Sequence, residues 1–323
     1  VRVDAIDRAE RTVTLGDGTT LPYARLVLAT GGRARVVPID GLSPAQTFTL
    51  RTLEDSLAIG AALATAKSAL IVGGGWIGLE IAAAARRLGA EVTLVELAER
   101  LCQRAAPAIV SEWLLRLHTS RGVDVRLGDS VVQASDGRAE LASGAIVPAD
   151  MVVIGVGLVA NDELARAAGL ACADGILTDP CGRTDDPAVF GCGDVAVFQL
   201  PGAPQPMRLE SWANAQHQAI ACAHAVLGQD AAYEEIPWFW SDQYDKTVEI
   251  LGFPPAGEPV VRGDLATDSF MLFWLDGARL VAVAAVDGGK DYKIARLLME
   301  RQVPVEAAAL ADETVRLRGL LSR

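Results

Sequence analysis

Polar and apolar residues alternate in short runs over residues 1–28: VRVDAI, TVTL ahead of a tight GDG, then ARLVLAT. A period of two broken by turn residues predicts strand, turn, strand, turn, strand. From residue 68 the pattern changes. SALIVGGG is a short continuous apolar run closing on glycines, WIGLEIAAAARRLG has helical spacing with Gly89 as a stop, and AEVTLVE is a second continuous run. A helix around 107–120, a strand VDVRLG, a polar hairpin region through 148 and a buried strand DMVVIGVG follow. Near-continuous apolar strands alternating with helices predict a parallel sheet covered on both faces. A second glycine-rich strand end, AVFGCGDVAVF, leads into a long helix from about Glu210 to Leu227. After Gly228, TVEILG, PVVRGDL and SFMLFWLDGARLVAVAAVDG alternate and turn like an antiparallel sheet, and residues 290–322 read as helices broken by Pro304.

Composition narrows the function classes. A chain of 323 residues, 51% hydrophobic and 22% charged, has room for two or three domains with sizeable cores. No apolar run approaches the roughly 18 residues that span a bilayer, and no signal-peptide pattern is visible, so no membrane partner and a cytoplasmic location are expected. A net charge of −12 argues against nonspecific nucleic-acid binding, which runs on clustered Lys and Arg. The five cysteines, Cys102, Cys172, Cys181, Cys192 and Cys222, form no Cys-x-x-Cys pair; they are expected to be small buried hydrophobes in a reducing cytoplasm, with no metal site. Val1 falls inside a β-rich pattern, so a segment N-terminal to it is expected to be missing.

Gly73, Gly75 and Gly78 form a G-x-G-x-x-G that follows a strand, opens a helix and precedes an acid, Glu96, at the end of the next strand. Gly73 permits the tight turn, Gly75 lets a pyrophosphate approach the backbone, and Gly78 lets helix pack on strand. The helix N-terminus offers N–H groups and a positive dipole end to phosphates. Glu96 is placed to accept from an adenosine ribose and to repel a 2′-phosphate, which favours NADH over NADPH; Arg100 and Arg104 downstream temper that preference. A glycine turn in an unrelated α/β domain would carry the same three glycines. Glu80, two residues after Gly78, would crowd a pyrophosphate unless it points elsewhere, and a solvated helix residue is the alternative.

One further stretch stands out in a chain only 5% aromatic. PWFWSDQY, residues 237–244, packs Trp238, Phe239, Trp240 and Tyr244 around Ser241, Asp242 and Gln243. A core segment would want the rings without the acid, and a surface loop the acid without the rings. A flat, partly polar ligand would want both.

Six motifs in order carry a resemblance over essentially the whole chain: YARLVLATGGRAR, LRTLEDS, LIVGGGWIGLEIAAAARRLGAEVTLVE, GRTDDPAVFGCGDVA, RLESWANAQHQA and PWFWSDQY. The sequence resembles the FAD-dependent pyridine-nucleotide reductases and, within them, the NADH:ferredoxin reductases that serve Rieske-type aromatic dioxygenases and bacterial cytochromes P450. The resemblance implies an α/β fold with an interrupted FAD-binding domain (residues 1–47 and 158–233, its first part truncated), a Rossmann-like NADH-binding domain (48–157) and a C-terminal α+β interface domain (234–323). It implies FAD and NADH as cofactors, a small [2Fe–2S] ferredoxin of an oxygenase system of aromatic hydrocarbon catabolism as partner, and a monomer or homodimer.

By the same resemblance NADH would lie against Gly73, Gly75, Trp76, Ile77, Gly78, Glu96 and Gly157, with Glu80 beside the nicotinamide. Ala29, Thr30 and Gly31 would form the chain crossing near the FAD pyrophosphate, with Arg33 close by, and Asp194 would accept from the ribityl chain. Asp194 as a helix N-cap is the alternative. Trp212 would lie near the flavin, and Trp238, Trp240, Ser241, Asp242 and Gln243 would wall it, with interdomain core as the other reading of the rings. Glu80 and Trp212 are the catalytic candidates, hydride passing from NADH to flavin and single electrons on to the ferredoxin. The family opens on its own FAD-binding strand–GxGxxG–helix upstream of the part matching Val1, so weak FAD retention is expected of residues 1–323. Two other readings use the same scaffold: an NADH oxidase or disulfide reductase, and a non-catalytic redox-responsive interaction protein. Against the disulfide branch, no His-x-x-Glu-like site lies near the C-terminus, and the only histidines are His118, His217 and His224. His217 and His224, on the long helix, are expected to be solvated or capping.

Overall fold

The apolar runs of residues 68–154 form the parallel sheet they predict. In the computed structural model, which describes residues 1–229 and 231–322, five strands lie in the order Thr47–Phe48, Met151–Ile154, Ser68–Val72, Glu91–Glu96 and Val123–Leu127. Every pairing is parallel, with Ile71 opposite Val153 on one side and Leu94 on the other. Leu70, Ile71, Leu94, Val152 and Val153 are wholly buried, and each such side chain contributes about 2 kcal/mol of hydrophobic transfer. Helices Leu53–Leu63, Trp76–Arg87 and Ala108–Ser120 connect the strands. The first begins at a reciprocal cap: Thr52 Oγ1 accepts from the Asp55 N–H while the Asp55 carboxylate accepts from the Thr52 N–H.

The C-terminal strands form a separate five-stranded sheet in the order Trp238–Gln243, Lys246–Gly252, Arg279–Val286, Phe270–Asp276, Val260–Gly263. Its residues from Trp240 onward share one compact unit with residues 34–158. Trp113, from the parallel-sheet side, meets Phe270 edge-on at 6.5 Å and donates its indole N–H to Asp268 at 2.9 Å. The ends of the 34–158 segment are held together within this unit, since the Arg35 N–H donates to the Gly157 carbonyl at 2.9 Å. Helices Gly289–Glu300 and Ala307–Ala311 lie on either side of Pro304, as the sequence predicts.

Residues 1–33 and 159–239 form the other unit. Its opening differs from the sequence expectation. The third strand of the meander is Thr20–Pro22, not the LVL of ARLVLAT. Pro22 lies at the sheet edge, where a missing N–H costs nothing. Leu26–Leu28 instead pairs in parallel with Val189–Gly191, which buries Leu28 beside Val189 and Val195. The long helix runs Trp212–Val226, opened by Ser211, whose side chain accepts from the Asn214 N–H. All five cysteines are free thiols; four are buried, and Cys181, Cys192 and Cys222 pack with Phe190. Among the described residues no helix is long and apolar enough to cross a membrane. Compactness thus divides the chain in two, whereas the partition into three domains expected above is drawn by ligand.

Candidate functional site

In the unit of residues 34–158 and 240–323, strand Ser68–Val72 ends at Gly73, whose φ of +110° is open to glycine. A Cβ there would sit 2.4 Å from the Gly155 carbonyl oxygen, and one on Gly78 would sit 2.1 Å from the Gly73 oxygen. Both glycines are required by close backbone approach. Gly75 is different: its φ is −81°, and a Cβ would meet nothing within 4 Å. It caps helix Trp76–Arg87 with no side-chain hydrogen bond, so the loop keeps an open cradle at a positive helix end. Trp76 packs half-buried on the core and Ile77 is exposed. Gly157, with φ +109°, has only the Arg104 guanidinium near its Cβ position.

Glu96 closes the loop from the next strand. Its Oε2 accepts from the Gly74 N–H at 2.6 Å and its Oε1 from the Ala98 N–H at 2.7 Å. A carboxylate has about four acceptor positions, so about two remain beyond these backbone bonds. Arg100 is committed elsewhere, donating to Ala106 O, Gln103 O and Ser111 Oγ. Glu80, the fifth residue of the helix, accepts from the Ser241 hydroxyl at 2.5 Å. Burial of its carboxyl end pushes its pKa up and Asp242 adds to the rise, while the Ser241 bond opposes both.

The strand carrying Ser241 alternates. Trp240 and Asp242 are exposed, Ser241 and Gln243 buried. Gln243 is fully enclosed: Nε2 donates to Ser241 Oγ at 2.9 Å, and Oε1 lies 3.1 Å from His118 Nε2. Ser241 and Gln243 therefore point away from the face that presents Trp240 and Asp242, which corrects the expectation that all of them wall one ligand. The period of two, applied to these six residues, was the signal available.

In the unit of residues 1–33 and 159–239, Ala29, Thr30 and Gly31 follow strand Leu26–Leu28, with Gly31 at φ +60°. Sequence reading missed their organiser, Asn161. Thr30 Oγ1 donates to its carbonyl at 2.6 Å, its N–H donates to Gly31 O, its amide donates to Thr30 O, and its Oδ1 accepts from Arg33. Arg33 also pairs with Glu163 at 2.6 Å. Asp194 lies in the short 3-10 turn Gly193–Val195 and is not the N-cap of a helix; that turn starts after Cys192, and the long helix is capped by Ser211. The Gly193 N–H donates to Gln218 Oε1 at 2.8 Å. Gln218 Nε2 and Asn214 Oδ1, one helical turn apart and buried, have no protein partner. Buried polar atoms left open beside a glycine turn suit the polar groups of a flavin nucleotide. Trp212, first residue of the long helix, is 66% exposed; Trp238 is half-buried. His224 is exposed and bonded to Gln229, whereas His217 is half-buried with Nδ1 enclosed, so the expectation of solvated or capping histidines holds for the first and fails for the second.

Two family models match the chain: pyridine nucleotide-disulphide oxidoreductase over residues 1–219, and reductase C-terminal over residues 238–321. The ferredoxin–NAD(+) reductase component of the anthranilate 1,2-dioxygenase system of Burkholderia cepacia is 45% identical over 331 residues, covering 99% of this chain and 80% of that protein. The reductase in the crystal structure of the covalent putidaredoxin reductase–putidaredoxin complex superposes with a TM-score of 0.93 at 36% identity, covering 99% of this chain and 80% of that one. The ferredoxin reductase for the CYP199A2 system of Rhodopseudomonas palustris also gives 0.93, at 34% identity, over 98% of this chain and 80% of its own. Loop, acid and C-terminal sheet thus agree with the sequence comparisons: this chain belongs to the pyridine nucleotide-disulphide oxidoreductase family, in the FAD- and NAD(H)-binding fold typical of its ferredoxin-reductase members.

Proposed function

We propose that the protein is an FAD-dependent NADH:ferredoxin oxidoreductase that delivers electrons to the small [2Fe–2S] ferredoxin of an oxygenase system. The observation that carries this reading is a reductase C-terminal region following a dinucleotide loop on one chain, at 45% identity to a dioxygenase-system reductase. Bound FAD supplies hydride acceptance from NADH and single-electron release to the iron–sulfur partner. The chain's own residues bind, orient and exclude water.

Residues 48–157 take the NADH. Gly73, Gly75, Trp76, Ile77, Gly78 and Gly157 form the cradle, the open Cβ space at Gly75 admitting the pyrophosphate. Glu96 holds the ribose with the acceptor positions its two backbone bonds leave over. A 2′-phosphate would meet that carboxylate, and Arg100 is not free to offset it. Glu80 lies beside the nicotinamide. Residues 1–47 and 158–233 take the FAD, through Ala29, Thr30, Gly31, Arg33 and Asp194, with Trp212, Trp238 and Trp240 as aromatic surface for the ring system. Residues 234–323 present the face for the ferredoxin, in a monomer or homodimer. The test is spectral. Anaerobic NADH should bleach the FAD-loaded protein, and the reduced protein should then reduce a [2Fe–2S] ferredoxin; absence of bleaching overturns the reading, and NADPH acting as well as NADH overturns the role of Glu96.

A further inference from the structure

Behind Glu80 lies a line of side chains that the proposed reaction does not use. Ser241 Oγ reaches Glu80 at 2.5 Å, Gln243 Nε2 reaches Ser241 Oγ at 2.9 Å, and His118 Nε2 lies 3.1 Å from Gln243 Oε1. The Tyr244 hydroxyl stands 3.5 Å from His118 Nδ1, their rings 5.1 Å apart. Helix Ala108–Ser120 supplies His118 and the edge strand supplies Ser241 and Gln243, so the line crosses from one element to another. His118 and Gln243 are 0% exposed. A polar line this deep is costly unless each member is satisfied.

Its direction follows from its end. An ionised carboxylate only accepts, so Ser241 must donate to Glu80. The Ser241 oxygen then accepts from the Gln243 amide, Gln243 Oε1 accepts from His118 Nε2–H, and Nδ1 is left as the acceptor toward Tyr244. Each bond polarises the next in the same sense, which makes the Ser241 hydroxyl a stronger donor than it would be alone. Protonating Glu80 lifts that constraint: the neutral carboxyl can donate to Ser241 as well as accept from it, and only then can the line also run in the opposite sense, with the amide turned over and the His118 ring proton on Nδ1.

We propose that Gln243 and His118 are positioning residues for Glu80, aligning the Ser241 hydroxyl so that the carboxylate stays ionised and fixed in orientation at the start of the glycine-loop helix. This rests on the reading that Glu80 faces the nicotinamide. The line works against the local desolvation of the Glu80 carboxyl and the nearby Asp242 charge, although Glu80 as a residue is exposed. Around its far end Arg121 lies over the Tyr244 ring, with Arg86 and Arg87 also favouring negative charge there, and Cys102 borders the Glu80 side. Burial pushes the His118 pKa down to about 4, so the ring is neutral, as the line requires.

The experiment is carbon and nitrogen NMR on the full chain without cofactors, with NADH binding measured alongside. In the unaltered protein the His118 nitrogens should report the Nε2–H tautomer at pH 7; an Nδ1–H tautomer overturns the proposal without any variant. The Glu80 carboxyl, assigned by its loss in Glu80→Gln, should titrate at higher pH in Ser241→Ala, and at an intermediate pH in Gln243→Leu and His118→Phe. Neither Gln243 nor His118 touches Glu80, so a titration that moves only in Ser241→Ala overturns the proposal. NADH Kd should rise about fivefold in Gln243→Leu, the worth of about one hydrogen bond. NADH affinity unmoved by Glu80→Gln would instead overturn the placement of the nicotinamide, while the relay is judged by the titrations alone.

Discussion

The molecule has two glycine-rich strand ends, and they are built differently. The Gly73–Gly78 loop is held mainly by the adjoining strand: the Gly73 N–H donates to the Val95 carbonyl, the Gly74 N–H donates to the Glu96 carboxylate, and Gly78 packs on the Gly73 carbonyl. The Gly191–Asp194 turn is held by scattered partners, Gly182, Leu28 and Arg208 as well as Gln218, the last on a helix that begins eighteen residues after Asp194 and leaves polar atoms open. The first has its buried polar groups paired within the protein. The second leaves Gln218 Nε2 and Asn214 Oδ1 without a protein partner. A dinucleotide bound at a backbone cradle asks little of the rest of the chain, whereas a flavin enclosed among side chains asks for groups that stay unsatisfied without it.

Gly78→Ala should break the comparison most severely, because the obstacle 2.1 Å away is backbone. A loss of about 3 kcal/mol in urea unfolding of this unit is expected; a loss below about 1 kcal/mol would mean that the loop yields easily. Acid should come next and act on the same unit. His118 titrates near 6.5 when unfolded and about 4 when folded, so the unfolded state binds the extra proton between those values and stability falls as pH drops through that window. About 2 kcal/mol should be lost between pH 7 and 5, and His118→Phe should flatten that slope in melts recorded across the range.

Gly75→Ala sharpens the comparison instead of breaking it. Its Cβ meets open space, so stability should change by no more than about 0.7 kcal/mol, the cost of a poorer N-cap. NADH Kd should nonetheless rise about tenfold in a titration, because the methyl would enter the space proposed for the pyrophosphate. A comparably small change in stability is expected at the other turn. Gln218→Leu removes the Gly193 partner but also an open amide, so the protein without FAD should lose only about 1 kcal/mol. With FAD loaded the same variant should lose more, since the amide then has a partner; equal losses in both forms would show that Gln218 does not meet the flavin.

That difference also explains how much could be read from the chain. The glycine loop, Glu96 and the strands of the parallel sheet were legible because each depends on backbone conformation and on a local pattern, even though strand Met151–Ile154 and Gly155 reach Ser68–Val72 and Gly73 from far along the chain. The Glu80–Ser241 and His118–Gln243 contacts join residues 161 and 125 positions apart, and no local pattern records such pairs. Asn161 was missed for the same reason: nothing around it in sequence says that residues 30, 31 and 33 will come to it. Gln243 was misplaced for another reason. It was judged by its company in an aromatic stretch when its strand alternation already turned it inward.

The bond from the Arg35 N–H to the Gly157 carbonyl has a kinetic consequence. The unit of residues 1–33 and 159–239 must pair Leu26–Leu28 with Val189–Gly191 across the whole inserted segment. Closing a flexible loop of that length costs roughly 4 kcal/mol in chain entropy. If the inserted segment folds first, its ends are already adjacent and most of that cost has been met by its own contacts. The expected order is therefore insertion first and interrupted unit second, and pulsed hydrogen exchange should protect the amides of Ser68–Val72 and Glu91–Glu96 before those of Val189–Gly191.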